Sequence, residues 1–416
     1  MSWNSTAWGQ YAWGHGVWTT GIDYSDYYLY LDFPGLTDRV SKQTLTVKNL
    51  ESDRVTYSGD DIGEDEAAID TGSGNLLTGG AYTVLNGKSN DISDPYWSKA
   101  SVDTDDVDEF QATAMNGRLS RSIATTNDTT EYTLSFYARV ESGGTLTNYG
   151  FQHTNSATGS QSALTLTETR QYYSKTVLGR TGGGFVNFGF RDENSSSWSK
   201  VYIDTINITQ SSYGLPPAEN DTTGTLSVPL NNSSTAVGDG YTFPIGDAST
   251  VGDNLELAFN GTDGTDATAT ITVEWTPKYN AADVTGNLNI ISVDDADVGF
   301  LYYDATNNQI EAYDGTNTVT VPLVAVANTK YIIELTYSGD DSEMQLSVDG
   351  TPGTVGTFAG TWTPGDYLSI AQQNDEFQEI GKIIIDKSTN FTVSDTSVTM
   401  DGEVATMDGE VVTMGS

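Results

Sequence analysis

Cysteine is absent from the 416 residues. No disulfide framework and no thiolate metal site can hold the fold, and cysteine chemistry is excluded. Histidine occurs only at His15 and His153, in separate segments, and neither neighbours a serine nucleophile motif. The patterns G-x-S-x-G, H-E-x-x-H and G-x-x-x-x-G-K-[ST] are all missing, which removes the serine hydrolase, zincin and P-loop readings. No apolar run approaches the ~20 residues that a membrane-crossing helix needs, so membrane insertion is not expected. The Met1-Ser2-Trp3-Asn4 start has no basic segment followed by an apolar run, so no secretory signal is expected. Positive charge is also scarce: 18 Lys and Arg stand against 57 Asp and Glu, for a formal net charge of -39. Such a surface repels nucleic acid and anionic membranes, so neither is expected as a partner. Two environments suit it. One is brine, where a Debye length of roughly 3 Å at 1 M removes self-repulsion; the other is a medium whose divalent ions bind carboxylate clusters. The acids spread over the whole chain, which favours the halophilic reading.

What the chain does have is 43 Gly, 23 Tyr and many Thr, Ser, Asn and Asp. Turn and strand formers thus dominate over helix formers, and the expected fold is all-β. The length exceeds what one core usually serves, and the strand patterns group into two tandem antiparallel β-sandwiches, a jelly roll and then a concanavalin-A-like sandwich. Residues 1–70 read as an N-terminal attachment segment with short strands. Its Trp3, Trp8, Trp13 and Trp18 recur every five residues among glycines, neither a helix nor a strand period, and suit either a local ring cluster or a docking arm. Residues 59–74, with Asp60, Asp61, Glu64, Asp65 and Glu66, read as an acidic linker.

Residues 71–212 form the first sandwich. Tyr132–Val140 alternates, with Tyr132, Leu134, Phe136, Ala138 and Val140 on the core face. Further strands are expected at 146–153, 162–168, 171–178, 185–191 and 200–209. Residues 213–225, with Pro216-Pro217, read as a stiff linker, and 226–392 as the second sandwich. There, Asp314-Gly315 and Asp349-Gly350 are expected at hairpin turns, where positive φ is needed. In the tail, 393–416, the TMDGEV unit repeats at 399–404 and 406–411. Its glycines oppose a coiled coil, so successive β-turns packing on a neighbour, or an unstructured tail, are the two readings.

The first sandwich resembles the jelly-roll carbohydrate-binding modules of phage tail and capsid-decoration proteins. The resemblance rests on Asn75-Leu76-Leu77, Tyr96-Trp97-Ser98-Lys99, Leu119–Ile123, Tyr132–Val140 and the closing Val201–Ile206. It implies a structural calcium held by an acid near the start and the closing Asp. Asp204 fits the second role, whereas Thr78-Gly79-Gly80-Ala81 carries no acid for the first. The second unit resembles a concanavalin-A-like or laminin-G-like sandwich through Ile271–Trp275, Lys330–Tyr337 and Met344–Gly350. Glucanases of that fold carry an E-x-D-x-x-E strand, which residues 223–392 lack. The Trp-Gly tract and terminal repeat are similar to those of phage virion proteins.

Together these resemblances imply a non-enzymatic virion surface protein of a tailed virus that binds host cell-surface glycans as a tail-fibre or baseplate component. The alternatives are a purely structural capsid decoration protein and a cell-surface glycan-binding protein of a halophile. The expected partners are other virion proteins and host glycans, and fibres suggest a homo-oligomer, a trimer. Sugar binding calls for aromatic faces and hydrogen-bonding side chains, which nominates Tyr137 and Arg139 on the face opposite the core, with Asn187 and Arg191 on a nearby strand. Ten of the 18 basic residues fall between 75 and 210, from Lys88 to Lys200, to serve an acidic glycan, a neighbouring subunit or local carboxylates. Trp3, Trp8, Trp13 and Trp18 are the candidate attachment residues. Asp204 and the cluster Asp294, Asp295 and Asp297 are the candidate cation ligands, the cluster reading equally as a solvated acidic turn.

Overall fold

A computed structural model of the chain describes residues 27–33, 36, 39, 45–48, 54–58, 61–63, 66–141, 146–154, 160–180, 184–192, 199–228, 240–244, 258–259, 267–293, 300–359, 367–371, 376–387, 398–400 and 403–405. Described elements are almost all antiparallel strands, as expected, and they build two sandwiches with separate cores.

In the jelly roll, strand Glu131–Val140 shows why the sequence folds this way. Tyr132, Leu134, Phe136, Ala138 and Val140 all enter the core, so the period-2 pattern fixes the register of the sheet. It pairs with Gln171–Leu178 on one side and Val201–Thr209 on the other. The facing sheet has the order Ser160–Leu166, Leu146–Thr154, Phe185–Asp192, Arg118–Ala124, Ser98–Ala100. Its Leu119, Ile123, Val186, Phe188 and Phe190 meet the first sheet, and Phe136 and Phe190 touch edge to face with centroids 4.4 Å apart. Burying each such ring contributes about 1.5–3 kcal/mol.

The second sandwich packs a nine-stranded sheet on a seven-stranded one. Strand Thr268–Pro277 points Ala269, Ile271, Val273 and Trp275 inward. Trp275 is fully buried among Tyr279, Tyr303 and Tyr331, and its indole N–H donates to Gln378 Oε1 at 2.6 Å, so the ring brings no unpaired donor into the core. The Asp-Gly turns are where they were expected. Val348 pairs with Thr351 around Asp349 (φ 50°) and Gly350 (φ 73°), and Tyr313 pairs with Thr318 around a loop with Gly315 at φ 93°. In the tail, Val398–Met400 pairs with Glu403–Ala405, the strands flanking Asp401 and Gly402.

The domain boundaries differ from those expected. The segment 1–70 is not a separate unit where it is described. Tyr27–Asp32 pairs with Gln378–Asp386, and Thr46–Lys48 pairs with Gly240–Pro244, both in the second sandwich. Asn75–Thr78, counted above with the jelly roll, also pairs with Gln378–Asp386. The acidic stretch 59–74 is no linker either. Ile69–Asp70 is a strand of the nine-stranded sheet, and Ala67 and Ala68 lie in its core. Conversely, Leu226–Val228 pairs with Tyr82–Val84 of the jelly roll. The jelly roll is therefore an insertion, leaving the second sandwich after residue 78 and returning near 228. Alternation could find the longer strands but not their partners, because pairing between strands 300 residues apart leaves no local trace.

Candidate functional site

The two outer faces of the jelly roll differ sharply. On strand Glu131–Val140 the side opposite the core carries Thr133, Ser135, Tyr137 and Arg139, and the first three are buried. What buries them is residues 211–220, laid across this face by hydrogen bonds. Thr133 Oγ1 donates to Ser211 O at 2.8 Å, Thr176 Oγ1 to Ser212 O at 3.1 Å and Tyr172 Oη to Leu215 O at 2.9 Å. Asn207 and Ala218 bond each other in both directions, at 2.9 and 2.7 Å. Gly214 is required here, since a Cβ would stand 2.3 Å from Tyr172 Oη. The expected free linker is thus a fixed strap, with Tyr213, Leu215, Ala218 and Asn220 all buried.

Tyr137, nominated for sugar stacking, is only 3% exposed. The Arg170 guanidinium lies 3.7 Å over its ring, and Tyr172 meets it edge to face at 5.7 Å. Arg139 lies 4.0 Å over Tyr202 on the same sheet. Asp204, the candidate calcium ligand, is held instead by Arg170, with Nε to Oδ2 at 3.0 Å and Nη2 to Oδ1 at 2.7 Å. Both carboxylate oxygens are engaged by a cation, which removes the charge a metal ion would need. Asp294, Asp295 and Asp297 lie outside the described residues, as do Trp3, Trp8, Trp13 and Trp18; among the described residues no group of three or more acids or histidines is placed to hold a metal.

The other outer face is open. On strand Phe185–Asp192, Val186, Phe188 and Phe190 point to the core, so Phe185, Asn187, Gly189 and Arg191 point away from it. Phe185 is 61% exposed, the most exposed aromatic side chain among the described residues. On the neighbouring strand the same face carries Arg118, Ser120, Ser122 and Ala124, and pairing sets them in rows. Arg118 stands opposite Arg191, Ser120 opposite Gly189, Ser122 opposite Asn187, and Ala124 opposite Phe185. The rows extend to Ala100 and Ser98 on one side, and Gly150 stands opposite Arg191 on the other. Gly189 is required by a close approach, because a Cβ there would stand 2.0 Å from the Leu119 carbonyl oxygen.

This face is floored by small residues. An aromatic platform stands at one end and two guanidiniums at the other, about 20 Å apart over six strand residues. The Ser122 hydroxyl bonds Asn187 Oδ1. Arg191 is oriented by a neutral partner, Asn116 Oδ1, at 2.9 Å from Nε. Of the four nominated binding residues, then, Asn187 and Arg191 lie together here, while Tyr137 and Arg139 belong to the strap-covered sheet. Phe185, Arg118, Ser120 and Ser122 were missed. The alternation Phe185-Val186-Asn187-Phe188-Gly189-Phe190-Arg191 carried the signal for Phe185, since three core residues at even positions place it outward.

A second concavity, of about 540 Å³, lies between the sandwiches and is lined by residues including Tyr57, Tyr172, Lys175, Lys278, Asn280 and Asp283. Its aromatic hydroxyls already serve the junction: Tyr57 Oη donates to Gly214 O at 2.8 Å, and Tyr172 Oη reaches the strap. Burial raises the Tyr57, Tyr82, Tyr172 and Tyr213 hydroxyls above the usual phenol range, so all four are neutral donors at physiological pH. Tyr213 donates to Glu376, and Phe377 N donates to Tyr213 Oη at 3.0 Å. These bonds tie jelly roll, strap and second sandwich together.

No family model matches the chain, and no curated protein matches it. Among solved structures, the Ruminococcus gnavus IT-sialidase CBM40 bound to alpha2,3 sialyllactose is 12% identical, with a TM-score of 0.26 over 36% of this chain and 91% of that one. The CBM22-1-CBM22-2 tandem of Paenibacillus barcinonensis Xyn10C is 9% identical, with a TM-score of 0.24 over 75% and 99% of the two chains. Mouse laminin alpha1 chain domains LG4-5 are 13% identical, with a TM-score of 0.22 over 79% and 95%.

Proposed function

We propose that the open face of the jelly roll binds a cell-surface glycan and that the protein is a non-enzymatic adhesin displayed on a virus particle. Phe185 carries the binding part of this reading. An exposed ring costs solubility and does nothing for the core, yet here it stands at the end of a row that carries the polar groups of Ser122 and Asn187. An aromatic face with a few directed polar groups is what a sugar ring requires. Display on a particle draws its support from the sequence, in the Trp-Gly tract and the TMDGEV repeat. A trimer fits that setting.

The test is adsorption of the purified protein to host cells, intact and stripped of surface glycan, at several salt concentrations. Saturable binding that is lost on stripping and on Phe185→Ala is the expected result. Absence of binding at every salt concentration would overturn the adhesin and leave a structural decoration protein.

A further inference from the structure

We infer that the glycan is anionic, its carboxylate or sulfate group seated on Arg118 and Arg191; this rests on the proposed binding face. The two guanidiniums stand directly opposite each other on adjacent strands. Like charges in that position destabilise a sheet. The chain offers more than three acids for every base, so a neutralising carboxylate would be easy to place. Even so, neither arginine is ion-paired with a described carboxylate. Elsewhere in the jelly roll Arg170, Lys200 and Lys88 are matched by Asp204, Glu109 and Asp94, while Arg121 and Arg139 lie over the rings of Tyr96 and Tyr202.

The face itself reserves space for a ligand group. Arg191 is held by the Asn116 carboxamide, which fixes its direction and leaves its charge uncancelled. Gly150 stands opposite Arg191 on the third strand, where no side chain can cover it. Ala100 flanks Arg118 on the other side. Two neighbouring arginines suit the planar carboxylate or the tetrahedral sulfate, each of which accepts two hydrogen bonds from one guanidinium fork. With Phe185 about 20 Å away along the strand, an oligosaccharide of several rings would stack at one end and place its acid at the other.

The experiment is calorimetric titration of the full chain with oligosaccharides of one backbone in neutral, uronate and sulfated forms, together with a single-stranded oligonucleotide. Wild type, Arg118→Gln/Arg191→Gln and Phe185→Ala are compared, each checked for an unchanged melting temperature. The expected result is preference for the uronate or the sulfated form, which also tells the two sources apart. That preference should fall by on the order of tenfold or more in the double arginine variant, which brings the acidic forms towards the affinity of the neutral one. Equal affinity for neutral and acidic forms, lost with Phe185→Ala, would overturn the anionic ligand and keep the glycan face. Tight binding of the oligonucleotide would overturn it as well, by showing attraction without sugar recognition. Binding of no form, with no effect of Phe185→Ala, would overturn the glycan reading itself.

Discussion

One jelly-roll sheet turns its outer face to a strap and a second sandwich, the other turns its outer face to solvent, and the two have been built to opposite rules. The covered face satisfies the hydroxyls of Thr133, Tyr172 and Thr176 with strap carbonyls. At its edge Arg170 is neutralised by Asp204. The open face leaves an aromatic ring exposed and two arginines that pair with no carboxylate among the described residues. Packing and the strap's hydrogen bonds account for the first arrangement apart from the unpaired Tyr137 and Ser135 hydroxyls. They do not explain the second, which is the ground for the proposed ligand face.

Substitutions on the two faces should therefore separate stability from binding. Tyr137→Ala empties a packed site beneath Arg170 and should cost about 3 kcal/mol in denaturant unfolding, with the glycan affinity of the folded protein unchanged. Phe185→Ala should do the reverse: unfolding within about 0.5 kcal/mol of wild type, and glycan affinity down by about 2 kcal/mol, roughly thirtyfold. Should Tyr137→Ala abolish binding in folded protein, the contrast between the faces fails.

The pH dependence sharpens the same comparison. Tyr57, Tyr82, Tyr172 and Tyr213 have folded-state values raised above the ordinary phenol value of about 10, chiefly by burial. A raised value means the neutral form is favoured on folding. The stabilisation is fully present below about pH 10 and is lost as pH rises beyond it. A melting temperature that falls steeply above pH 10 is expected, and a flat profile to pH 12 would show that the junction opens without unfolding. A smaller effect distinguishes two junction hydroxyls. Tyr57→Phe removes the bond to Gly214 O and should cost about 1 kcal/mol. The Tyr137 hydroxyl has no hydrogen-bond partner, so Tyr137→Phe should be neutral or slightly stabilising.

Most strands were legible in the sequence because each carries its own pattern. Gln171–Leu178 matches the expected bounds, Leu146–Thr154, Phe185–Asp192 and Val201–Thr209 fall within a residue of theirs, and Tyr132 to Val140 faces the core as read. Short strands without alternation were not seen, among them Gly240–Pro244 and Tyr367–Ile370. The nesting of one sandwich in the other was also hidden. Asn75-Leu76-Leu77 is equally apolar whichever sheet receives it, and only the partner strand at 378–386 decides. At the site, alternation correctly turned Tyr137 away from the core, but no local signal announced that residues 211–220 would cover it. Asp204 likewise has a motif position that suits a metal, and a spatial neighbour, Arg170, that claims it.

The central claim is that the open face, and not the covered one, recognises sugar. Its most direct measurement is a glycan-binding comparison of wild type, Phe185→Ala and Tyr137→Phe at equal concentration and matched folded fraction. The account predicts binding by wild type and Tyr137→Phe and a loss of roughly thirtyfold with Phe185→Ala. Wild-type affinity in Phe185→Ala, with binding lost in Tyr137→Phe, would contradict it.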